Sequence, residues 1–529
     1  MRRLVVPACA VACAVAPLAA QQRAISDSDL FAFRWVASPQ ISPDGRQAAY
    51  VLVTVNGKHD GYETSLWVVA TDGTSPPRRL TAGPRDGAPR WSPDGATLAF
   101  LRPKDGHAQL HLLPLTGGEA QQLTDLPKGA SPAVWSPDGK TIAFTSTTTA
   151  EDLAKKDKPE ESKSDVRIIT LAEFRSDDEG YLDPAEHGHI WTVPAAMPGD
   201  KPATAHQVTS GAFDEEAPQW SRDGTRLYFV SDRKRESYYY PPDNNVYSVP
   251  AAGGGGGGAM DTVVDINGPV FGPALAPDGK AVAFRGWINP PASRSYNQSD
   301  LFVLRDGRTR NLTADYDFDM GTNVIGDQAP PRGGGGSSPN VWTADGKAVI
   351  VATTERGRAN LVRFDAQSGA REPLTTGDHA VLAYTATPDA RRFVLTLGDP
   401  THLPDVYALD AQTKRLTQLT HVNDSLFAKL QLVTPEDFSY PSFDGKKIET
   451  WIMKPVGFTS GKKYPLILNI HGGPHTAYGY IFFHEMQWMA AKGYVVLYPN
   501  PRGSTTYGQD FGNIIQYKYP GDDYKDLMV

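Results

Sequence analysis

Trp91-Ser92-Pro93-Asp94-Gly95-Ala96-Thr97-Leu98-Ala99-Phe100 returns, a little changed, as Trp135-Ser136-Pro137-Asp138-Gly139-Lys140-Thr141-Ile142-Ala143-Phe144. A Pro-Asp-Gly turn runs into a short apolar strand, and the glycine accepts the positive φ that such a turn requires. The pattern recurs seven times, centred on Asp44, Asp94, Asp138, Asp223, Asp278, Asp345 and Asp389. Four turns follow a tryptophan: Trp91, Trp135, Trp220 and Trp342. Each is followed by a second alternating strand, such as Leu110-His111-Leu112-Leu113 or Val406-Tyr407-Ala408-Leu409. Six units close on an apolar-Thr step, at Thr81, Thr124, Thr209, Thr313, Thr375 and Thr420; the fourth has a glycine run, 253–258, in its place. Each unit is long enough for four short strands, and a sandwich would show no such shared turn. The first fold expectation is an all-β seven-bladed propeller over residues 25–430.

Blade three carries an insertion of about thirty residues between its first two strands, with a charged stretch at 151–164 that reads as a solvated loop. A second long connection, roughly 314–340, separates units five and six and contains glycines 333–336.

Beyond residue 435 the grammar changes. Leu466-Ile467-Leu468-Asn469-Ile470 has the composition of a strand buried on both faces of an α/β sheet. It leads into His471-Gly472-Gly473-Pro474-His475, then a helical stretch over 482–492 closed by Gly493. Tyr494-Val495-Val496-Leu497-Tyr498 reads as a second buried strand, ending in Asn500-Pro501-Arg502-Gly503-Ser504. The second fold expectation is therefore the N-terminal part of an α/β-hydrolase domain over 435–529.

The ends and the composition bound the remaining possibilities. Arg2 and Arg3, an apolar run over 4–18 and Ala19-Ala20 describe a signal peptide at 1–20, cleaved near Gln21. The run is shorter than the ~20 residues of a membrane span, so no stable membrane insertion is expected after cleavage. Both cysteines, Cys9 and Cys13, fall within that leader, and a net charge of −8 argues against nucleic acid as a partner. The expected location is periplasmic or secreted.

A seven-bladed propeller joined to this HGGPH loop and Pro-Arg-Gly-Ser segment resembles the prolyl oligopeptidase family of serine peptidases, in its acylaminoacyl-peptidase and dipeptidyl-peptidase-like branch. The resemblance covers nearly the whole chain after the leader and implies an exported peptidase acting on short peptides, with no cofactor. It also implies that the loop after 466–470 forms part of an oxyanion hole. Gly472 and Gly473 are the donors, with Gly473 the first choice, because glycines let backbone N–H groups approach a developing oxyanion. The same glycines also suit a tight strand-to-helix turn. Arg502 either binds a substrate carbonyl or carboxylate through its forked donors or ties its loop down by an ion pair; the sequence leaves both open.

Several near-misses are set aside. No metal site is expected at His471 and His475, which lack acidic or further histidine ligands nearby. Asp315, Asp317 and Asp319 imitate a calcium loop, but Gly321 falls at position seven and Gly326 at position twelve. Glu215-Glu216, able in principle to hold a substrate amino terminus, reads rather as an acidic inter-strand loop.

No G-x-S-x-G occurs in the 529 residues; Thr506 stands where Ser504 would need its second glycine. The sequence reads as ending upstream of its active site: the serine, aspartate and histidine that the resemblance implies are expected downstream of Val529. No catalytic residue is therefore assigned within the chain. The alternative is a non-catalytic periplasmic propeller serving as a binding or scaffold protein. The coding frame beyond codon 529 discriminates the two: a G-x-S-x-G within about fifty residues marks the peptidase, and an immediate stop the scaffold.

Overall fold

The computed structural model describes residues 22–156, 166–177, 180–197, 199, 201–253, 260–331 and 338–529. The leader at 1–20, most of the glycine run at 253–258, glycines 333–336 and part of the 151–164 stretch lie outside those residues.

The seven turn-strand units fold as seven four-stranded antiparallel blades. Blade 1 consists of Arg34–Ile41, Gln47–Val55, Tyr62–Ala70 and Arg78–Arg79 in sequential order. Blades 2 to 7 occupy 87–122, 134–207, 216–264, 270–311, 341–373 and 380–418. A single parallel bridge, Ala359 to Ala380, joins blades 6 and 7.

The repeat has a local physical cause. Between the first two strands of a blade, the Ser92 hydroxyl donates to Asp94 at 2.5 Å and accepts the Thr97 amide at 2.9 Å, while Asp94 accepts the Ala96 amide at 3.0 Å. Ser42, Ser136, Ser221, Thr343 and Thr387 repeat this arrangement. In blade 5, where Ala276 replaces the hydroxyl residue, Arg305 grips Asp278 at 2.7 Å instead. Side-chain hydrogen bonds of this kind hold a turn without help from the rest of the fold.

The tryptophans stitch neighbouring blades. Trp91, Trp135, Trp220 and Trp342 donate their indole N–H to the carbonyls of Gln40, Arg90, Val134 and Ala274 at 3.0, 3.2, 2.9 and 2.9 Å, each on the preceding blade. Each closing threonine accepts an amide of its blade's third strand, as in Thr124 to Leu110 at 2.9 Å and Thr375 to Leu361 at 2.9 Å. Tyr50, Phe100, Phe144, Phe229 and Phe284 take the fourth position of their second strands and are buried between blades.

The ring closes between blades 7 and 1 without any strand exchanged between them. The Ile41 amide donates to Thr385 Oγ1 at 3.0 Å, and Asn423 bonds both the amide and the carbonyl of Arg34 at 3.0 and 2.8 Å. Arg23–Ala24 pairs in parallel with Leu430–Gln431.

The expected insertion in blade 3 lies between its second and third strands, Thr141–Ser146 and His189–Pro194, and spans 147–188, longer than the spacing suggested.

Three closing threonines donate to carboxylates, Thr209 to Glu215, Thr313 to Asp300 and Thr420 to Asp405. Asp405 accepts from the Thr420 hydroxyl and the Val422 amide, at the place where blade 2 has Gln109 and blade 6 has Asn360. Burial pushes the Asp405 carboxyl up to about 6 against the lowering effect of those hydrogen bonds. A folded-state value above the unfolded ~3.9 means the stabilisation is complete below that lower value and is lost as pH rises through about 6. Asp405→Asn keeps the acceptor oxygen and removes the charge. We expect the urea midpoint of the wild type to fall between pH 4 and 7 relative to that of Asp405→Asn, by roughly 2–3 kcal/mol in stability. Superimposable pH profiles for the two proteins count against this reading.

After residue 435 a mixed sheet forms in the order Glu436–Pro441, Lys447–Met453, Val495–Asn500, Leu466–Leu468. The last two strands run parallel and are linked by the helix His484–Ala491, after which Gly493 adopts φ +95°. One expectation needs correcting. The strand Leu466–Leu468 pairs on one side only among the described residues, and Leu466 and Ile470 are 59 % and 52 % exposed. The run is an edge strand here, because no described element packs along its second side.

Candidate functional site

The parallel strands Leu466–Leu468 and Val495–Asn500 end side by side, so the loops that follow them meet. His475 Nδ1 lies 3.0 Å from the Gly503 carbonyl, and the Thr505 amide donates to Thr476 O at 3.0 Å. Beneath them Asn500 is fully buried; its Oδ1 accepts the Tyr478 amide at 2.9 Å and its Nδ2 donates to Tyr478 O at 3.0 Å. These bonds make the loop pair one rigid unit.

Gly472 and Gly473 sit exposed at the outer edge of that unit, and their amides donate to no protein acceptor among the described residues. Gly473 has φ +130°, and a Cβ there would fall 3.0 Å from the His475 amide nitrogen. Its glycine is therefore required by the turn itself, and the turn leaves both N–H groups free.

His471 and His475 have other partners. His471 Nε2 lies 3.0 Å from Ser504 Oγ and its Nδ1 3.0 Å from Gly472 O; burial lowers its pKa, which favours the neutral imidazole. Ser504 is wholly buried and its Oγ lies 2.7 Å from Pro501 O, so its hydroxyl is a link within the loop and is closed to substrate. With a backbone carbonyl where a triad has its carboxylate, the Ser504–His471 pair does not make a catalytic triad. Val529 itself is exposed, one residue beyond the helix Asp522–Met528.

Arg502 resolves in favour of the ion pair. Its side chain is 3 % exposed and forks onto Asp526, at 2.9 Å from Nε and 2.7 Å from Nη2, and onto Asp444, at 3.0 Å from each Nη. Asp526, fully buried on the helix Asp522–Met528, also accepts from the Ser442 hydroxyl and the Arg502 amide. These carboxylates hold the guanidinium pKa well above its usual value. With its donors committed and its surface covered, Arg502 does not face a substrate.

The propeller fixes the same loop from the other side, through residues whose role the sequence did not disclose. Asp319 Oδ2 accepts the Thr506 amide at 2.7 Å, Asp317 accepts the Gln509 amide at 2.9 Å, and Tyr296 donates its hydroxyl to Asp319. Two of the three aspartates that imitate a calcium loop are thus docking residues, while Asp315 faces Arg371 at 3.5 Å. Thr506 adopts φ +71°, a costly geometry for a β-branched residue, and its carbonyl accepts the Arg356 amide at 3.0 Å. Gly357, in the turn that carries Arg356, meets Gly479 back to back; a Cβ on Gly479 would fall 2.2 Å from Gly357 O. Asp327, from the long connection, caps His484–Ala491 by accepting the His484 and Glu485 amides at 2.9 and 2.8 Å. Alternating aspartates in a long inter-blade connection were the available signal.

Glu215 departs from the solvated loop expected of it. It is buried, with Oε2 2.7 Å from His189 Nδ1 and 2.7 Å from the Thr209 hydroxyl, and Oε1 2.7 Å from Arg233. Three donors converging from blades 3 and 4 offset the burial of its charge. Glu216 is exposed beside a separate cavity of about 780 Å³.

A cavity of about 640 Å³ opens where the two loops face blades 5 and 6. His475, Thr476 and Thr505 form one wall, and Phe271, Arg285 and Trp287 lie opposite. The Tyr296 ring packs on His475 with centroids 5.4 Å apart. The site is a propeller-roofed pocket lined by His475 and Thr476, which follow the two unengaged glycine amides in the chain. That arrangement can hold a polar carbonyl group next to an aromatic wall.

Comparison with known proteins gives a consistent result. Residues 15–179 match the TolB beta propeller domain and residues 480–529 the prolyl oligopeptidase family. The uncharacterized peptidase YuxL of Bacillus subtilis (strain 168) is 32 % identical over 511 residues, covering 96 % of this chain and 75 % of its own length. Dipeptidyl-peptidase 5 of Porphyromonas gingivalis is 26 % identical over 514 residues, covering 93 % of this chain and 70 % of its own. Among solved structures, the acylaminoacyl peptidase of Pyrococcus horikoshii superposes with a TM-score of 0.72 at 21 % identity, over 94 % of this chain and 70 % of that one. An acylaminoacyl peptidase in complex with Z-Gly-Gly-Phe-chloromethyl ketone gives a TM-score of 0.72 at 20 % identity, over 95 % and 71 %.

Proposed function

Because this chain belongs to the prolyl oligopeptidase family, we propose that its gene product is an exported serine peptidase that hydrolyses short peptides, in the manner of dipeptidyl or acylaminoacyl peptidases. The observation that carries the reading is the exposed pair Gly472 and Gly473, whose amides meet no protein acceptor among the described residues and which stand three and two residues before the cavity-lining His475. Such donors stabilise the oxyanion of a tetrahedral intermediate, at about 3 kcal/mol of barrier for one of them. We assign them that role, with Gly473 the principal donor.

The relatives' printed names support the substrate class: dipeptidyl-peptidase 5, and a fold neighbour bound to a peptide chloromethyl ketone. The proposed organisation is a leader at 1–20, a propeller over 25–430 that restricts access, and a hydrolase portion over 435–529. None of these residues forms a G-x-S-x-G, so the nucleophile is assigned to none of them.

The complete product of the gene, expressed with its leader in a bacterial host, tests each element. It is expected outside the cytoplasm, beginning at Gln21 by intact mass, and to cleave dipeptidyl or acetyl-amino-acid p-nitroanilides until a serine-directed phosphonate is added. A product that cleaves neither substrate overturns the peptidase assignment, and exported material that retains Met1 overturns the leader.

A further inference from the structure

Among the residues that line the interdomain cavity, one cationic side chain has no counter-ion: Arg285, at the end of the second strand of blade 5. Its Nη2 donates to Ser338 O at 3.2 Å, its Nε is buried without a partner, and it forms no ion pair with any described carboxylate. The backbone around it is shaped to admit the guanidinium. Gly272 and Gly321, at φ +53° and +107°, leave the space it fills: a Cβ on Gly272 would stand 3.3 Å from Nη2, and one on Gly321 2.9 Å from Nη1.

The acid that shares the cavity does not neutralise it. Asp319 is committed to the Tyr296 hydroxyl and the Thr506 amide, and burial raises its pKa toward the neutral form. Beside Arg285, Phe271 and Trp287 pack with ring centroids 5.6 Å apart, and Phe271 is 40 % exposed. A wetted aromatic wall next to an unpaired guanidinium favours a ligand that is apolar along its body and anionic at its tip.

We propose that Arg285 is a specificity-determining residue, pairing with a carboxylate on the end of the peptide that enters the cavity while the peptide's apolar part lies on Phe271 and Trp287. The proposal rests on the reading of this cavity as a peptide-binding site. It concerns binding only and can be read on the 529-residue chain, which does not consume its ligand.

Calorimetric titration with N-succinyl-Ala-Phe-amide and N-acetyl-Ala-Phe-amide tests it, since the two share an apolar body and differ in one carboxylate. The succinyl peptide is expected to bind at least about tenfold more tightly, as a charge-assisted hydrogen bond should give. Arg285→Met, checked by its melting curve, is expected to abolish the preference. In the unaltered protein, raising salt from about 0.05 M to about 0.5 M is expected to erode the preference, which needs no variant to fold. Equal affinity for the two peptides, a preference unaffected by salt, or one that survives in folded Arg285→Met overturns the assignment alone. Binding of neither peptide overturns the peptide-binding reading and the assignment with it.

Discussion

Prepared as the 529-residue chain, the protein is expected to release no p-nitroaniline from dipeptidyl or acyl-amino-acid anilides, and a serine-directed phosphonate is expected to leave its mass unchanged. Acyl transfer by this family's chemistry needs an activated hydroxyl, a base and a group that orients the base. The chain has no G-x-S-x-G, and the serine beside the Gly472-Gly473 loop, Ser504, is wholly buried with its Oγ 2.7 Å from Pro501 O. Loss of the nucleophile alone costs about a million-fold in kcat where it has been measured in serine peptidases, which places any residual rate below detection. Turnover together with a phosphonylated serine would sink this expectation, and mutation of Ser504 would be the next experiment.

Arg502→Met carries the largest expected loss of stability. Arg502 and Asp526 are 3 % and 0 % exposed, so removing the cation strands a carboxylate in the interior. A buried pair broken on one side costs about 3–5 kcal/mol. The damage should be local. Ser442 and Asp444 on one side and the helix Asp522–Met528 on the other are joined by this guanidinium, with the Ser442 and Tyr440 hydroxyls bonding Asp526 directly. Limited proteolysis is expected to release residues beyond 500 while the propeller resists. The double variant Arg502→Met/Asp526→Leu should recover most of the loss, because an apolar pair of similar volume replaces the ion pair. Unchanged protease resistance and denaturant midpoint in the single variant would refute the assignment.

The parts of the fold legible in the sequence are those whose cause is local. A hydroxyl, an aspartate and a glycine within four residues build each blade turn without reference to anything distant, which is why the turns at Asp94 and Asp138 read as one motif. Gly473 was legible for the same reason, since its turn demands positive φ. Pairings between distant segments left no such trace. Arg502 reads alike as a substrate clamp or a loop tie until Asp526 is seen beside it, and Asp317 and Asp319 read as a failed ion loop until Thr506 and Gln509 arrive from the other domain. Glu215 looked like surface because His189 and Arg233 approach it from other strands. The run at 466–470 has the composition of a covered strand, but composition records what a strand suits, and Leu466 stands 59 % exposed.

The closure of the ring has a mechanical consequence. Each blade is a contiguous length of chain, so the ring behaves as a split washer, with one radius, between blades 7 and 1, that the chain does not cross directly from one blade into the next. Prising it open there breaks the Ile41–Thr385 and Arg34–Asn423 bonds and the short pairing of Arg23–Ala24 with Leu430–Gln431, while every blade keeps its own strands. Load applied around the rim is therefore relieved at this cut before any sheet shears. The hydrolase portion straddles the cut: His484 reaches the Ser26 carbonyl at 3.1 Å, and Phe482 packs with Phe33 and Phe427 from the two lips. The hydrolase portion that packs on the ring is also the clip that keeps the washer shut.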